Sequence, residues 1–162
     1  MQKVMVIGCP GSGKSTFSRA LSQITGLPLT HLDMLYWNAD KTTVERSVFI
    51  ERLSEVLQKD AWIIDGNYGS TMELRMQACD TVIFLDYPTD ICLQGVKDRQ
   101  GKPRPDMPWV ETEEDAEFLE YIQNFHKENR PQVLELLQKY SHKTIYVFHN
   151  HREAHMFLAN CK

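Results

Sequence analysis

No stretch of this sequence approaches the ~20 consecutive apolar residues that a helix needs to cross a bilayer. Met1-Gln2-Lys3 leads straight into an apolar segment of strand length, so no secretory leader is expected and the reading is cytoplasmic. Cysteine is scarce and scattered. Cys9, Cys79, Cys92 and Cys161 form no CxxC pair, which argues against a thiolate metal site or a disulfide framework and for reduced thiols. Cys9 alone suggests reactivity, because it precedes a helix N-terminus that would lower its pKa. The six histidines are assigned no role. Positive charge is in deficit, with 18 Lys and Arg against 22 Asp and Glu; that leaves no basic footprint for a duplex, and direct nucleic-acid binding is not favoured. Repeats, linkers and low-complexity segments are absent. A single domain over 1–162 follows, and 42% hydrophobic residues supply its core.

What is present begins at once. Lys3-Val4-Met5-Val6-Ile7 empties into Gly8-Cys9-Pro10-Gly11-Ser12-Gly13-Lys14-Ser15, which satisfies the phosphate-loop pattern at every specified position. Glycines at 8, 11 and 13 permit backbone angles closed to residues with a Cβ, so that successive N–H groups can turn toward a phosphate chain. Lys14 is placed to reach the β and γ phosphates and Ser15 to join the shell of a magnesium ion. The helix starting near Gly13 points its positive end at the same anion. ATP with Mg2+ is the expected ligand pair.

Downstream, apolar runs and helical periodicity alternate. Phe17, Ala20, Leu21 and Ile24 mark a helix ending at Thr25-Gly26, and Leu27–Leu32 reads as a strand with Asp33 at its end. Asp33 either caps the next helix or serves an acceptor or metal. Thr42 with Glu45 predicts a capping box before a helix through Phe49, Leu53, Val56 and Leu57. Ala61–Ile64 reads as a strand closing on Asp65-Gly66, the place of an acid that anchors magnesium. Ser70 with Glu73 predicts another cap, Thr81–Leu85 a fourth strand ending at Asp86, and Pro88 the start of a helix. The stretch from Lys97 to Arg104 reads as a basic loop. Thr112 and Asp115 predict a helix cap, Pro131 opens a further helix, and Thr144–Phe148 reads as the fifth strand. Strands alternating with helices predict an α/β fold with a parallel sheet.

With GCPGSGKST at 8–16, HLDMLYW at 31–37, WIIDGNYGSTMELR at 62–75, IFLDYP at 83–88 and RQGKPRPDMPW at 99–109, the chain resembles the small P-loop kinases of the adenylate kinase and shikimate kinase kind. It is most similar, along nearly its whole length, to bacterial DNA topology modulation (FlaR-like) proteins. The resemblance implies a five-stranded parallel sheet of order 2-3-1-4-5, an acceptor-binding segment over 34–60 and a lid over 99–112. It implies transfer of the γ-phosphoryl group of ATP to a nucleotide, nucleoside or other small hydroxylated acceptor. Gly8, Pro10, Gly11, Ser12, Gly13, Lys14, Ser15 and Thr16 would hold the nucleotide, with backbone near Arg152 bordering adenine. Ser15 and Asp65 would serve magnesium, Lys14, Arg99 and Arg104 the transferring group, and Asp33 the acceptor. An alternative is a regulatory nucleotide-binding protein linked to DNA topology.

Two positions depart from the adenylate kinase pattern. Where acceptor-phosphate arginines are expected, this chain has Tyr36 and Gly69, with Arg75 and Arg46 as candidate replacements. Tyr36 and Trp37 beside Asp33 suggest instead a pocket for a ring and a hydroxyl.

Overall fold

The computed structural model describes residues 1–110 and 115–161. Its strands are β1 (Lys3–Gly8), β2 (Leu29–His31), β3 (Trp62–Asp65), β4 (Thr81–Leu85) and β5 (Thr144–Phe148). They form one parallel sheet of order β2-β3-β1-β4-β5, the order implied above. The register aligns His31 and Val6 with Asp65, and Gly8 and Phe148 with Leu85. The carboxyl ends of the strands therefore open along a single edge, which is where ligands bind in sheets of this kind.

β1 is central and covered on both faces, which is why it is a continuous apolar run rather than an alternation. Val4 and Val6 face one layer with Phe17 and Leu21 of α1 (Lys14–Thr25), Cys92 and Val96 of α5 (Thr89–Arg99), Phe125 of α6 (Ala116–Glu128) and Ala154 of α8 (His151–Asn160). Met5 and Ile7 face the other, with Leu32 of α2 (Leu32–Tyr36), Phe49 and Leu53 of α3 (Arg46–Leu57), Met72 and Met76 of α4 (Gly69–Ala78) and Val133 of α7 (Arg130–Lys139).

Several local expectations are corrected. Neither predicted capping box forms. α3 starts at Arg46 without a side-chain cap, because Thr42 is taken up in a turn, where its Oγ1 and N both donate to Asp40. α4 starts after Tyr68 in a left-handed conformation, again without a side-chain cap, and Glu73 instead accepts from Lys139 and Tyr140. Asp33 is not at a strand end; β2 stops at His31, and Asp33 lies in the first turn of α2. The basic stretch is helical through Arg99, since α5 runs two residues beyond Lys97. Asp115 caps α6 by accepting from Glu117 N and Phe118 N, while Thr112 and the last two residues of the expected lid lie outside the described residues.

Candidate active site

The phosphate loop is held in shape from below. Gly11 has φ 88, and a Cβ there would sit 1.9 Å from the carbonyl oxygen of Cys92, so only glycine lets the loop rest on the backbone of α5. Gly8 is different. It is still part of β1 with an ordinary angle, and what it lacks is space, a Cβ meeting Leu85 O at 2.8 Å. Ser12 N donates to Cys9 O at 3.0 Å, closing the turn that presents Pro10 and Gly11. Lys14 opens α1, and its ammonium lies 3.4 Å from Cys9 O. Burial pushes the Lys14 ammonium down from its ordinary value, against the pull of Asp65. The hydroxyls of Ser12 and Ser15 are buried without a hydrogen-bond partner. An orphaned Ser15 oxygen and a buried carboxylate, Asp65, lining the same cavity suit a hard cation with oxygen ligands, so these residues fit magnesium.

Cys9, the one thiol that merits a test for reactivity, is buried. Its thiol is pushed up by hydrogen bonding with Cys92 and by burial, which outweigh the nearby Lys14 charge. A thiol so placed is inert.

The segment after β3 joins the two halves of the site. Asp65 accepts from Nδ1 of His31 at 2.7 Å, and although burial pulls His31 down, the hydrogen bond and charge of Asp65 prevail and raise its pKa. His31 precedes HLD's leucine in sequence but was given no role; its signal was register, since β2 pairs His31 with Asp65. Gly66 has φ 134 and presses on Leu32, where a Cβ would meet side-chain atoms at 2.8 Å. Asn67 Oδ1 accepts from Gly8 N at 3.1 Å, tying the segment to the phosphate loop. Arg75 organises the whole turn. It is fully buried and donates from Nη1 to Gly66 O at 3.0 Å, and from Nη2 to Asn67 O and, at 3.1 Å, to Tyr68 O. Burial pushes it down to about 9, still charged at neutral pH. Arg75 is thus a structural clamp, and Arg46 is spent on Ser70 Oγ at 2.9 Å. Neither lines the cavity, so neither supplies the acceptor-phosphate contact considered above.

Asp33 accepts a short hydrogen bond from the Tyr68 hydroxyl. Burial raises the Asp33 pKa, and the Tyr68 bond and Lys14 charge only partly oppose it. Tyr36 does not face the acceptor space. Its ring packs on Phe49 at 5.3 Å and Tyr68 at 5.1 Å between centroids, closing the core, and the aromatic wall is instead Trp37 edge-on to Trp109 at 5.7 Å. Lys41 lies over Trp109 at 5.1 Å.

These groups line one cavity of about 1320 Å3. Its wall carries Pro10, Gly11, Gly13, Lys14, Ser15 and Thr16 of the phosphate loop, Asp65 and Asn67 after β3, Asp33, Tyr68, Trp37 and Trp109, and Arg99 with Arg104. Arg104 is paired with Asp106 at 3.7 Å. Arg152 is exposed on the first turn of α8 and is not a wall of this cavity, whereas His151 is. His151 and His155 stand one helical turn apart on α8, their rings 6.3 Å apart, so the sequence does contain an HxxxH pair, which the assignment of no role to the histidines overlooks. Asp86 has no part here. It is buried in a two-pronged pair with Arg130 at 2.9 Å and flanked by His126 and His149, which locks α7 to the end of β4.

Solved structures share this arrangement of strands and helices. A shikimate kinase from Acinetobacter baumannii in complex with shikimate superposes with a TM-score of 0.66 over 99% of this chain and 90% of its own, at 16% identity. The chain has the fold of that shikimate kinase, a five-stranded parallel sheet flanked by helices. A gluconokinase from Sinorhizobium meliloti 1021 gives 0.60 at 15% identity over 98% of this chain and 92% of its own. A sugar kinase from Janibacter sp. HTCC2649 gives 0.59 at 15% identity, over 99% and 91%. No family model and no curated protein matches the sequence. Among the described residues no helix is long and apolar enough to cross a membrane.

Proposed function

We propose that this chain transfers the γ-phosphoryl group of ATP to a hydroxyl of a small, unphosphorylated acceptor. The observation that carries the reading is that Lys14 of the phosphate loop and Asp33 line the same cavity, near enough for their charges to act on one another, together with Arg99 and Arg104. Phosphoryl transfer leaves the protein little covalent work, so positioning and charge neutralisation suffice. The loop N–H groups and Lys14 hold the phosphate chain and offset the charge that grows between the β and γ positions. Ser15 and Asp65 would hold magnesium, which supplies Lewis-acid neutralisation of the same oxygens. Arg99 and Arg104, with forked donors, face the transferring group from the lid. Asp33 accepts a hydrogen bond from the attacking hydroxyl and aligns it.

The acceptor class follows from which arginines are occupied. Arg75 and Arg46 are committed to protein partners. Of the six lysines and arginines on the cavity wall, Lys14, Arg99 and Arg104 are assigned above to the transferring group, Arg19 donates to Thr16 Oγ1 at 3.3 Å, Lys41 lies over Trp109, and Lys102 offers a point charge rather than a fork. Trp37 and Trp109 offer ring edges and faces where a phosphate would want a guanidinium fork. Nucleosides and comparable hydroxyl compounds are therefore favoured over monophosphates. The similarity in sequence motifs to DNA topology modulation proteins would then reflect a kinase scaffold rather than contact with DNA.

The test is ADP release from ATP and Mg2+ with adenosine, guanosine and thymidine beside their 5′-monophosphates, and with shikimate and gluconate as further hydroxyl acceptors. Turnover of an unphosphorylated compound above its monophosphate is expected. Robust transfer to monophosphates alone would overturn the acceptor class, and tight ATP binding without transfer to any of them would favour nucleotide-dependent regulation.

A further inference from the structure

Tyr68 occupies a backbone conformation that tyrosine rarely adopts, φ 34 and ψ 75. A left-handed non-glycine residue costs of order 1 kcal/mol or more and persists only where its surroundings over-determine it. Here they do. The Tyr68 carbonyl accepts from Arg75 Nη2 at 3.1 Å, from Thr71 N at 2.9 Å and from Thr71 Oγ1 at 3.1 Å. The ring is wedged against Tyr36 at 5.1 Å and Phe49 at 5.2 Å. Backbone and ring are thus both fixed, and what they aim is the hydroxyl, which donates to Asp33 Oδ1 from across the cavity wall. Core packing alone does not require this: phenylalanine would fill the same space between Tyr36 and Phe49.

We infer that Tyr68 is the positioning residue of the acceptor site, its hydroxyl occupying one oxygen of Asp33 so that the carboxyl group is held in one orientation and presents its other oxygen to the acceptor. The inference rests on the phosphotransfer reading above. It assigns the strained turn after β3 a purpose: through Asn67 the turn is tied to Gly8 of the phosphate loop, and through Tyr68 to Asp33, so one clamp, Arg75, sets both ends of the site in register. The groups facing Asp33 are Tyr68 from the start of α4, Lys14 from α1, Asp65 from the end of β3 and Asp106 from the lid. Tyr68 and Lys14 favour the carboxylate, while burial and the two acids disfavour it. Tyr68 itself is pushed up by burial and by the Asp33 charge, so it remains a donor throughout the working range.

Tyr68→Phe removes one oxygen and keeps the ring. In free protein carrying 13C-labelled aspartate, the Asp33 carboxyl resonance, identified by its loss in Asp33→Asn, should titrate about one pH unit higher in Tyr68→Phe, a tenfold change in proton affinity. An unmoved midpoint overturns the inference whether or not an acceptor is known. With ATP, Mg2+ and adenosine as the probe acceptor, the acidic limb of kcat/KM should move in the same direction and kcat should fall about tenfold, with the KM for ATP unchanged. In an Asp33→Asn background, Tyr68→Phe should cost nothing further; equal losses in both backgrounds would show that Tyr68 acts by packing alone. Absence of transfer to adenosine by the unmodified enzyme counts against the acceptor class instead, and the titration then decides the role of Tyr68.

Discussion

Arg75→Ala is the perturbation with the largest consequence for the fold, although the residue sits on no ligand surface. The guanidinium is fully buried and its Nη1 and Nη2 atoms serve three successive carbonyls, those of Gly66, Asn67 and Tyr68, while Nε donates to Thr71 Oγ1 at 3.3 Å. Alanine leaves these acceptors facing a void. A buried acceptor stripped of its partner costs about 1–3 kcal/mol, and water entering the vacated space recovers part of it, so about 3–5 kcal/mol in total is expected. For a domain of this size each kcal/mol moves the midpoint by about 2–4 °C, placing the loss near 10 °C. Urea and thermal unfolding followed by far-UV circular dichroism would read it. Arg46→Ala, which removes one exposed bond to Ser70, is the internal control and should change stability by about 0.5 kcal/mol or less. Arg75→Lys keeps the charge but loses the fork and should recover only part of the loss. A destabilisation by Arg75→Ala below about 1 kcal/mol would refute the clamp, since three part-buried carbonyls that lose one shared donor together cost more than that.

Two further outcomes concern the nucleotide end. Lys14→Ala should lower turnover by about 10³-fold, roughly 4 kcal/mol, and weaken ATP binding by less, because the ammonium acts most strongly on charge that develops during transfer; equal effects on binding and turnover would remove that argument. Asp65→Asn should raise the magnesium concentration needed for half-maximal rate while leaving metal-free nucleotide binding nearly intact, and an unchanged magnesium titration would assign Asp65 solely to its bond with His31.

The strands and the phosphate loop were legible because each is encoded locally. β1 is an unbroken apolar run, and the loop pattern fixes residue types at adjacent positions whose chemistry does not depend on distant contacts. The acceptor end was legible only in part. Asp33, Asp65 and Trp37 were singled out from their places after strands, but Tyr36 was misjudged: alternation and propensity cannot say that the ring of residue 36 turns into the core beside Phe49 while that of residue 37 faces the cavity. The clamp role of Arg75 was hidden for a related reason. An arginine on a helix reads as solvent-exposed or phosphate-binding, and nothing local reveals that a turn nine residues earlier bends three carbonyls onto it. The capping boxes failed because Thr42 and Glu73 found partners elsewhere, and a capping pattern in sequence cannot exclude a competing hydrogen bond. Tyr68 followed the noticed Asp65-Gly66, yet its left-handed backbone and bond to Asp33 are tertiary facts.

Asp33 sets function against stability, and the sign can be worked through. Burial raises its folded pKa above the ordinary value of 3.8 despite the Tyr68 bond. A carboxyl whose folded value is raised contributes stability that is fully present below the unfolded value and is lost as pH rises through the folded one. At pH 7, above the unfolded value, burying Asp33 is therefore a net cost to the fold, one that a neutral side chain of the same shape would not incur. Asparagine is that side chain, and its amide oxygen can still accept from Tyr68. Asp33→Asn should thus be more stable than the parent protein at pH 7 in urea unfolding, and the advantage should shrink as pH falls through the raised Asp33 value and vanish below about 3.8. The same substitution should lower turnover by about 10²-fold and leave a measurable residual rate, since an amide oxygen is a far weaker acceptor than a carboxylate. A site kept at a cost to stability is what selection for chemistry leaves behind. If Asp33→Asn proved less stable at pH 7, the carboxylate would be a structural partner of Lys14 and Tyr68, and its assignment to the acceptor would lose its physical basis.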